Sequence, residues 1–167
     1  MKKLILILIL LFVPVQLQAG QVNIAIPGQN WKLSFDAPPL SDKKESRRGE
    51  EYVFKANSGR FNISFFVEVP KGDGRTHRDC YAYYWPLASR NPSIDKDSIK
   101  MSESNKYVRV QYDIVHSIGD KKIIHRNVNY YFCYKNKWVD VHISVIMPVP
   151  EDNQILKTFD KTLGYGN

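Results

Sequence analysis

The chain has 167 residues and a formal net charge of +7, with 24 Lys and Arg against 17 Asp and Glu. No internal repeat, low-complexity block or second composition zone interrupts it, which excludes a repeat array or a second domain. A chain this long buries a core without metals or many disulfides. The first predicted element is a leader. Lys2 and Lys3 precede an unbroken apolar run, Leu4 to Val13, and Leu17-Gln18-Ala19 ends in a small residue before Gly20. Charge, apolar stretch and small residue in that order predict a secretory signal peptide over residues 1–19. A membrane anchor needs about 20 apolar residues, and the run stops at Pro14 and Gln16. No cysteine lies near the cut, so lipid attachment there is excluded. Residues 20–167 are then one exported domain of 148 residues and net charge +5, periplasmic or secreted, with no membrane span.

Val22–Ile26 and Trp31–Phe35 read as short strands separated by the turn signal Pro27-Gly28. Residues 37–51 are polar, carry Pro38-Pro39 and the mixed-charge run Asp42 to Arg48, and read as an exposed loop. Tyr52–Ala56 and Phe61–Val69 form a predicted hairpin turning at Asn57-Ser58-Gly59. In its second arm Phe61, Ile63, Phe65, Val67 and Val69 alternate strictly, the mark of one buried face. Thr76 is placed to cap a helix, with Asp79 completing a box-like pair. Cys80, Tyr83, Tyr84 and Leu87 then share one stripe, and Pro86 is expected to end or kink the helix near Tyr84 or Trp85. Asn91-Pro92 opens another loop. Three longer strands follow as a meander, with apolar phases Val108/Val110/Tyr112/Ile114, Ile124/Val128/Tyr130/Phe132 and Val139/Val141/Ile143/Val145. Gly119-Asp120 and Lys135-Asn136 supply its turns. A closing helix carries Ile155, Leu156, Phe159 and Leu163, with Glu151 and Asp152 at its start and Gly164 as its stop.

Cys80 and Cys133 are the only cysteines. In an oxidising compartment an isolated pair most often forms one disulfide, and a Cys80–Cys133 bond is the expectation, with two free buried thiols as the alternative. His77 and Cys80, three residues apart near a helix start, are the one nucleophile pair to be found. They lack a third group to orient the histidine. The chain has no Gly-x-Ser-x-Gly, His-Glu-x-x-His, Cys-x-x-Cys or phosphate-binding glycine loop, and its four histidines have no metal-ligand spacing. No enzyme, metal or cofactor is therefore expected. Asn62-Ile63-Ser64 matches the glycan acceptor pattern but lies inside a strand among core residues, so it is read as chance. The aromatic run Tyr81, Tyr83, Tyr84, Trp85 is read as core packing, with sugar or peptide binding as the alternative.

Two surfaces stand out. A two-residue turn at Lys135-Asn136 sets Tyr131 opposite Asp140 and Asn129 opposite His142. Joining the first two meander strands with their apolar faces together then sets Arg109 beside Tyr131 and Gln111 beside Asn129. The face opposite the core would show two polar rows, read as a solvated or partly covered sheet face that hydrogen-bonds across its strands, with a ligand site or a protein contact as the alternative. The second surface is the charged loop with Lys43, Lys44, Arg47 and Arg48, placed to meet an acidic partner.

Ile26-Pro27-Gly28 followed by Trp31-Lys32-Leu33-Ser34-Phe35 resembles the opening strand of Mog1/PsbP-like proteins, whose bacterial branch includes DcrB-like envelope proteins. The strand-rich middle with one helix, the antiparallel meander and the final helix before Gly164-Tyr165 are similar to that family too. The resemblance implies an α/β class, an antiparallel sheet flanked by helices in an α/β/α sandwich, used for binding and without shared catalytic residues. The expectation is an exported, non-enzymatic binding protein of the bacterial envelope. Its partner would be another protein, in one form a periplasmic toxin neutralised by an immunity or inhibitor protein. A small-molecule or glycan binder is the alternative. A basic exported protein is not expected to meet nucleic acid; lipid headgroups, cell-wall polymers or an acidic protein are the fitting targets. The leader generates the first prediction: intact-mass measurement of the exported protein finds an N-terminus at Gly20 or within a residue or two of it. A mass retaining Met1, with partition into membranes, would refute it.

Overall fold

The computed structural model describes residues 19–167; the predicted leader, up to Gln18, lies outside the described residues. Ten strands and two helices follow in the order β1 Gly20–Ala25, β2 Lys32–Ala37, β3 Leu40–Arg48, β4 Glu51–Ser58, β5 Phe61–Glu68, α1 His77–Ala88, β6 Ile94–Glu103, β7 Val108–Ile118, β8 Lys121–Tyr134, β9 Lys137–Ile146, α2 Asp152–Thr162 and β10 Gly164–Gly166. Seven strands make one antiparallel sheet in the order β3-β4-β5-β9-β8-β7-β6, and three make a second, β1-β2-β10. With 57% strand and 15% helix the protein is mostly β, which corrects the expected α/β/α sandwich. On one side the large sheet is covered by α1. On the other its cover is the small sheet together with α2, not a helical layer. The physical reason lies at the two ends of the chain. β1 and β2 pair with each other and not with the large sheet, and Gly164-Tyr165-Gly166 joins β2 as a third strand.

Both faces of the large sheet hold a core. The larger one stacks Phe61, Ile63, Phe65, Val128, Tyr130, Phe132, Val139 and Val141 against Leu33, Phe35, Leu156 and Phe159. The smaller one gathers Val108, Val110, Tyr112, Tyr131 and Trp138 beneath Cys80, Tyr81, Tyr84 and Trp85 of α1. α2 is tied down by one carboxylate. Asp160 Oδ1 accepts from Tyr130 Oη and from Arg109 Nε, each at 2.6 Å. Thr76 caps α1 as expected. Its Oγ1 accepts from Asp79 N at 3.1 Å, while Asp79 Oδ2 accepts from Thr76 N at 2.8 Å.

Four further expectations need correction. The segment read as a loop, residues 37–51, holds β3, paired along β4 at the sheet edge. Its side chains are nearly all exposed, so no alternation marks it. The same holds for β6, the opposite edge strand, where Asn91-Pro92 signals a loop. α1 runs past Pro86 to Ala88, its end closed by Ser89 N donating to Trp85 O at 2.8 Å. The proline removes one i→i−4 donor, yet the helix continues past it for two residues. The register of β7 against β8 also differs: Arg109 pairs with Tyr130 and Gln111 with Val128. A shift of one residue turns every side chain to the other face. Val108, Val110 and Tyr112 therefore look toward α1, while Arg109 and Gln111 look toward α2.

Phe65 is completely buried and stacks on Phe54 at 4.7 Å between ring centroids. Phe65→Ala should cost about 3–5 kcal/mol, read by urea denaturation. A loss below 1 kcal/mol would show that this core is not closely packed.

Candidate functional site

The face beneath α1 is apolar only where the helix covers it. Strand pairing lays out the remainder in transverse rows. Lys44, Lys55, Ser64, His142 and Asn129 make one, and Val53, Phe66, Asp140 and Tyr131 make the next. On the other side lie Asn57, Asn62, Ser144, Asn127 and Tyr112. These are the positions out of phase with the apolar alternation of β4, β5 and β9. Above them the sheet is hollowed into a recess of about 260 Å³, lined by Ser64, Phe66, Tyr112, Asn129, Asp140 and His142. It shares Ser64 and His142 with a second recess of about 300 Å³ that extends over Lys55 to Lys44 at the sheet edge. Together they form one trough across six strands, β3 to β7 in sheet order.

The inner end of the trough holds polar atoms without partners. Asn129 Nδ2 donates to Asp140 Oδ1 at 2.8 Å, and Asn129 Oδ1 and Tyr131 Oη are buried without partners. Burial pushes the Asp140 carboxyl up to about 7, and the Asn129 hydrogen bond opposes this only partly. Burial pushes the His142 imidazole down to about 4, so it is neutral at physiological pH. Asn127 Nδ2 is committed to the His125 carbonyl at 2.8 Å, which leaves Asn127 Oδ1 as acceptor toward His142 Nε2 at 3.0 Å. His142 therefore carries its proton on Nε2 and keeps Nδ1 as a lone-pair acceptor. Tyr112, raised to about 12 by burial and by the Asp140 charge, remains a phenol.

The sequence-predicted residues separate into three places. Asn129, Tyr131, Asp140 and His142 come together at the trough, with Asp140 and His142 paired to β8 as expected. They lie on the α1 side, partly under it, and not on a free face. Arg109 and Gln111 are on the other side of the sheet. There Arg109 donates to Asp160 and, at 3.0 Å, to Gln111 Oε1, beside a cleft of about 430 Å³ also lined by Lys100 and Lys157. Lys43, Lys44, Arg47 and Arg48 lie along β3; only Lys44 of these lines the trough, whereas Arg47 reaches back over Gly28. Ser64, Phe66, Tyr112 and Lys55 were missed. For Lys55, Ser64 and Phe66 the signal was the second phase of each strand, where Phe66 stands 44% exposed amid polar neighbours; Tyr112 sits in an apolar phase and carried none.

The expected Cys80–Cys133 disulfide is not formed: both cysteines are free. Cys80 Sγ turns to β9 and donates to Val139 O at 3.4 Å, while Cys133 N donates to His77 Nδ1 at 3.0 Å. His77 is thus held by backbone on β8, and its Nε2 meets the Asn105 carbonyl at 3.1 Å. Burial pushes the Cys80 thiol well above its ordinary range, so the pair does not make a thiolate nucleophile. Among the described residues no group of three or more His, Cys, Asp or Glu side chains is placed to hold a metal. No helix among them is long and apolar enough to cross a membrane.

No protein-family model matches the chain, and no curated protein does. Among solved structures it is similar to a protein from Bacteroides thetaiotaomicron VPI-5482, at 13% identity and a TM-score of 0.44. The alignment covers 81% of this chain and 45% of that one, so the chain spans less than half of its neighbour's length. A likeness at this level carries no argument about fold or function.

Asp140 and His142 give opposite pH dependences of stability. An acid raised from about 4 to about 7 by folding makes the native state bind the extra proton, so stability falls as pH rises through that window. A histidine lowered from 6.5 to about 4 makes the unfolded state bind it, so stability rises over nearly the same window. In Asp140→Asn the histidine acts alone, and stability should climb from pH 4 to 6.5 by about 1–3 kcal/mol. In His142→Gln stability should instead decline from pH 4 to 7. Urea denaturation of both variants across that range checks the opposite slopes; parallel slopes would refute the assignment.

Proposed function

We propose that this chain is an exported binding protein of the bacterial envelope, and that it binds a small polar molecule in the trough. Export rests on the leader in residues 1–19 and binding on the trough. One observation carries the reading. Asn129 Oδ1 is a buried acceptor with no donor, beside a carboxylate with a single hydrogen bond, at the mouth of an open recess. Leaving a buried polar group unpaired costs about 1–3 kcal/mol, and a ligand that supplies the donor recovers it. The mouth also has the mixed lining of a ligand site, with Phe66 and Tyr112 offering ring surface beside a few convergent polar groups.

A second reading, recognition of a protein, has its own observation. β3 is an unpaired edge of the large sheet and carries Lys43, Lys44, Arg47 and Arg48. An acidic extended segment adding to that edge would fit, and an immunity or inhibitor role is one form it takes. Charge on an edge strand also has a purely protective use, since it discourages edge-to-edge aggregation. The trough has no such structural explanation and is preferred.

Two variants separate the readings. Ser64→Arg fills the trough, and Arg47→Glu with Arg48→Glu reverses the edge. Isotope-labelled protein is titrated with the low-molecular-weight fraction of envelope extract and followed by NMR. Shifts should appear at Asn129, Asp140 and His142, vanish in Ser64→Arg and persist in the edge variant. Shifts confined to β3 and lost only in the edge variant would replace this reading with the second.

A further inference from the structure

We infer that the trough takes a zwitterionic ligand of peptide-like dimensions, its ammonium at the Asp140 end and its acid group at the Lys44–Lys55 end; this rests on the trough being the binding site. Both ends are argued from what each lacks. At the inner end three acceptors line or adjoin one recess: Asn129 Oδ1, the Asp140 carboxylate and His142, whose Nε2 proton is already given to Asn127. No cationic side chain lines that recess. An ammonium is the compact group that brings three donors and a compensating charge. Phe66 and Tyr112 also line the recess, and aromatic rings attract a cation placed over them.

The outer end has the opposite deficiency. Lys44 and Lys55 stand directly opposite each other on adjacent strands, and like charges so placed destabilise a sheet. Among the described residues neither is ion-paired; Asp42, which also lines this end and accepts from Asn57 Nδ2 at 2.8 Å, sets one negative charge against the two lysines. An anion between them relieves the repulsion. The same two lysines would repel a simple cation from the trough, so the ligand that brings an ammonium inward leaves an acid group outward. From β9, which carries Asp140 and His142, to β3, which carries Lys44, is three strand spacings, about 14 Å. Three extended residues span at most about 11 Å, and the flexible lysine stems close the remainder. Ser64, midway, offers a hydroxyl to whatever crosses between.

Triglycine is the probe, with N-acetyl-triglycine lacking the ammonium and triglycine amide lacking the carboxylate. Each is titrated by calorimetry and NMR into the exported protein. Triglycine should bind at least 10-fold more tightly than either blocked form. Asp140→Asn should equalise triglycine and its N-acetyl form; Lys44→Gln with Lys55→Gln should equalise triglycine and its amide. Urea denaturation confirms that each variant is folded, and the wild-type ranking of the three probes decides the matter if one is not. Equal binding of all three, or no binding of triglycine, overturns the inference. If triglycine fails while the envelope fraction still shifts Asn129 and His142, the ligand class is wrong and the site stands. If neither shifts them, the trough itself is not the site.

Discussion

Everything in this protein follows from the burial of its central strand on both faces. Six consecutive residues of β8, Asn127 to Phe132, are buried, so the strand has no solvent side to give polar residues away to. Val128, Tyr130 and Phe132 fill the core against the small sheet and α2. Asn127, Asn129 and Tyr131 fill the space on the α1 side. A sheet covered twice needs two covers, and a single short helix is too small for one whole face. α1 seals its half with Tyr81, Tyr84 and Trp85, and what lies beyond the helix is the trough. The site is therefore a consequence of incomplete coverage: strands long enough to cross the sheet, and a helix of 12 residues that does not.

Buried polar groups at such a boundary are costly unless satisfied, and the inner end of the trough is satisfied only in part. His142 and Asn127 close a chain that ends on the His125 carbonyl. Asn129 and Asp140 begin a second chain that does not close. The contrast places the open valence on Asn129 and Asp140 and not on the histidine's proton-bearing side. Two carboxylates elsewhere are better served than Asp140. Asp160 is met by Tyr130 and Arg109, and Asp152 by Arg60 Nη1 at 2.9 Å and by Val149 N at 2.8 Å. A chain that pairs its structural carboxylates this thoroughly, and leaves one at the mouth of a recess with a single amide, has placed it there at some cost in stability.

What could be read in the sequence divides along the same line. The hairpin of β4 and β5, the meander, the capping of α1 by Thr76 and Asp79, and the pairing of Asp140 and His142 with β8 were all legible. Each is written in a local signal, an alternation, a cap or a two-residue turn. Lys135 and Asn136 both adopt positive φ, 45° and 59°, as a tight hairpin requires. The register of β7 was not legible, because two apolar faces make the rule that joins like faces ambiguous. Val108, Val110 and Tyr112 answer equally well to either core. The edge strands β3 and β6 were hidden for the opposite reason. Exposed on both faces, they carry no period, and their strand character comes from the backbone pairing offered by β4 and β7. The disulfide was an inference from compartment alone, and side-chain direction, which sends Cys80 to Val139, is a tertiary fact.

β3 shows how one polar segment serves two neighbours. Pleating sends Lys44 to the trough side and Arg47 to the other, where its Nε donates to Gly49 O at 3.1 Å and its guanidinium covers Gly28. Gly28 has φ of 73°, and a Cβ there would come within 2.9 Å of Arg47 Nη2. That glycine therefore serves both the turn after β1 and the seating of the arginine. The bulge between Ser41 and Lys44, with Asp42 at φ 50°, lets Asp42 accept from Asn57, and no ion pair joins it to Lys44 or Lys55. Without the bulge the alternation would run unbroken from Ser41 and set the acidic side chain differently against Lys44 and Lys55. The charge pattern of the trough is thus a property of the edge-strand backbone, and a segment that composition alone reads as a solvated loop turns out to fix the electrostatics of the site.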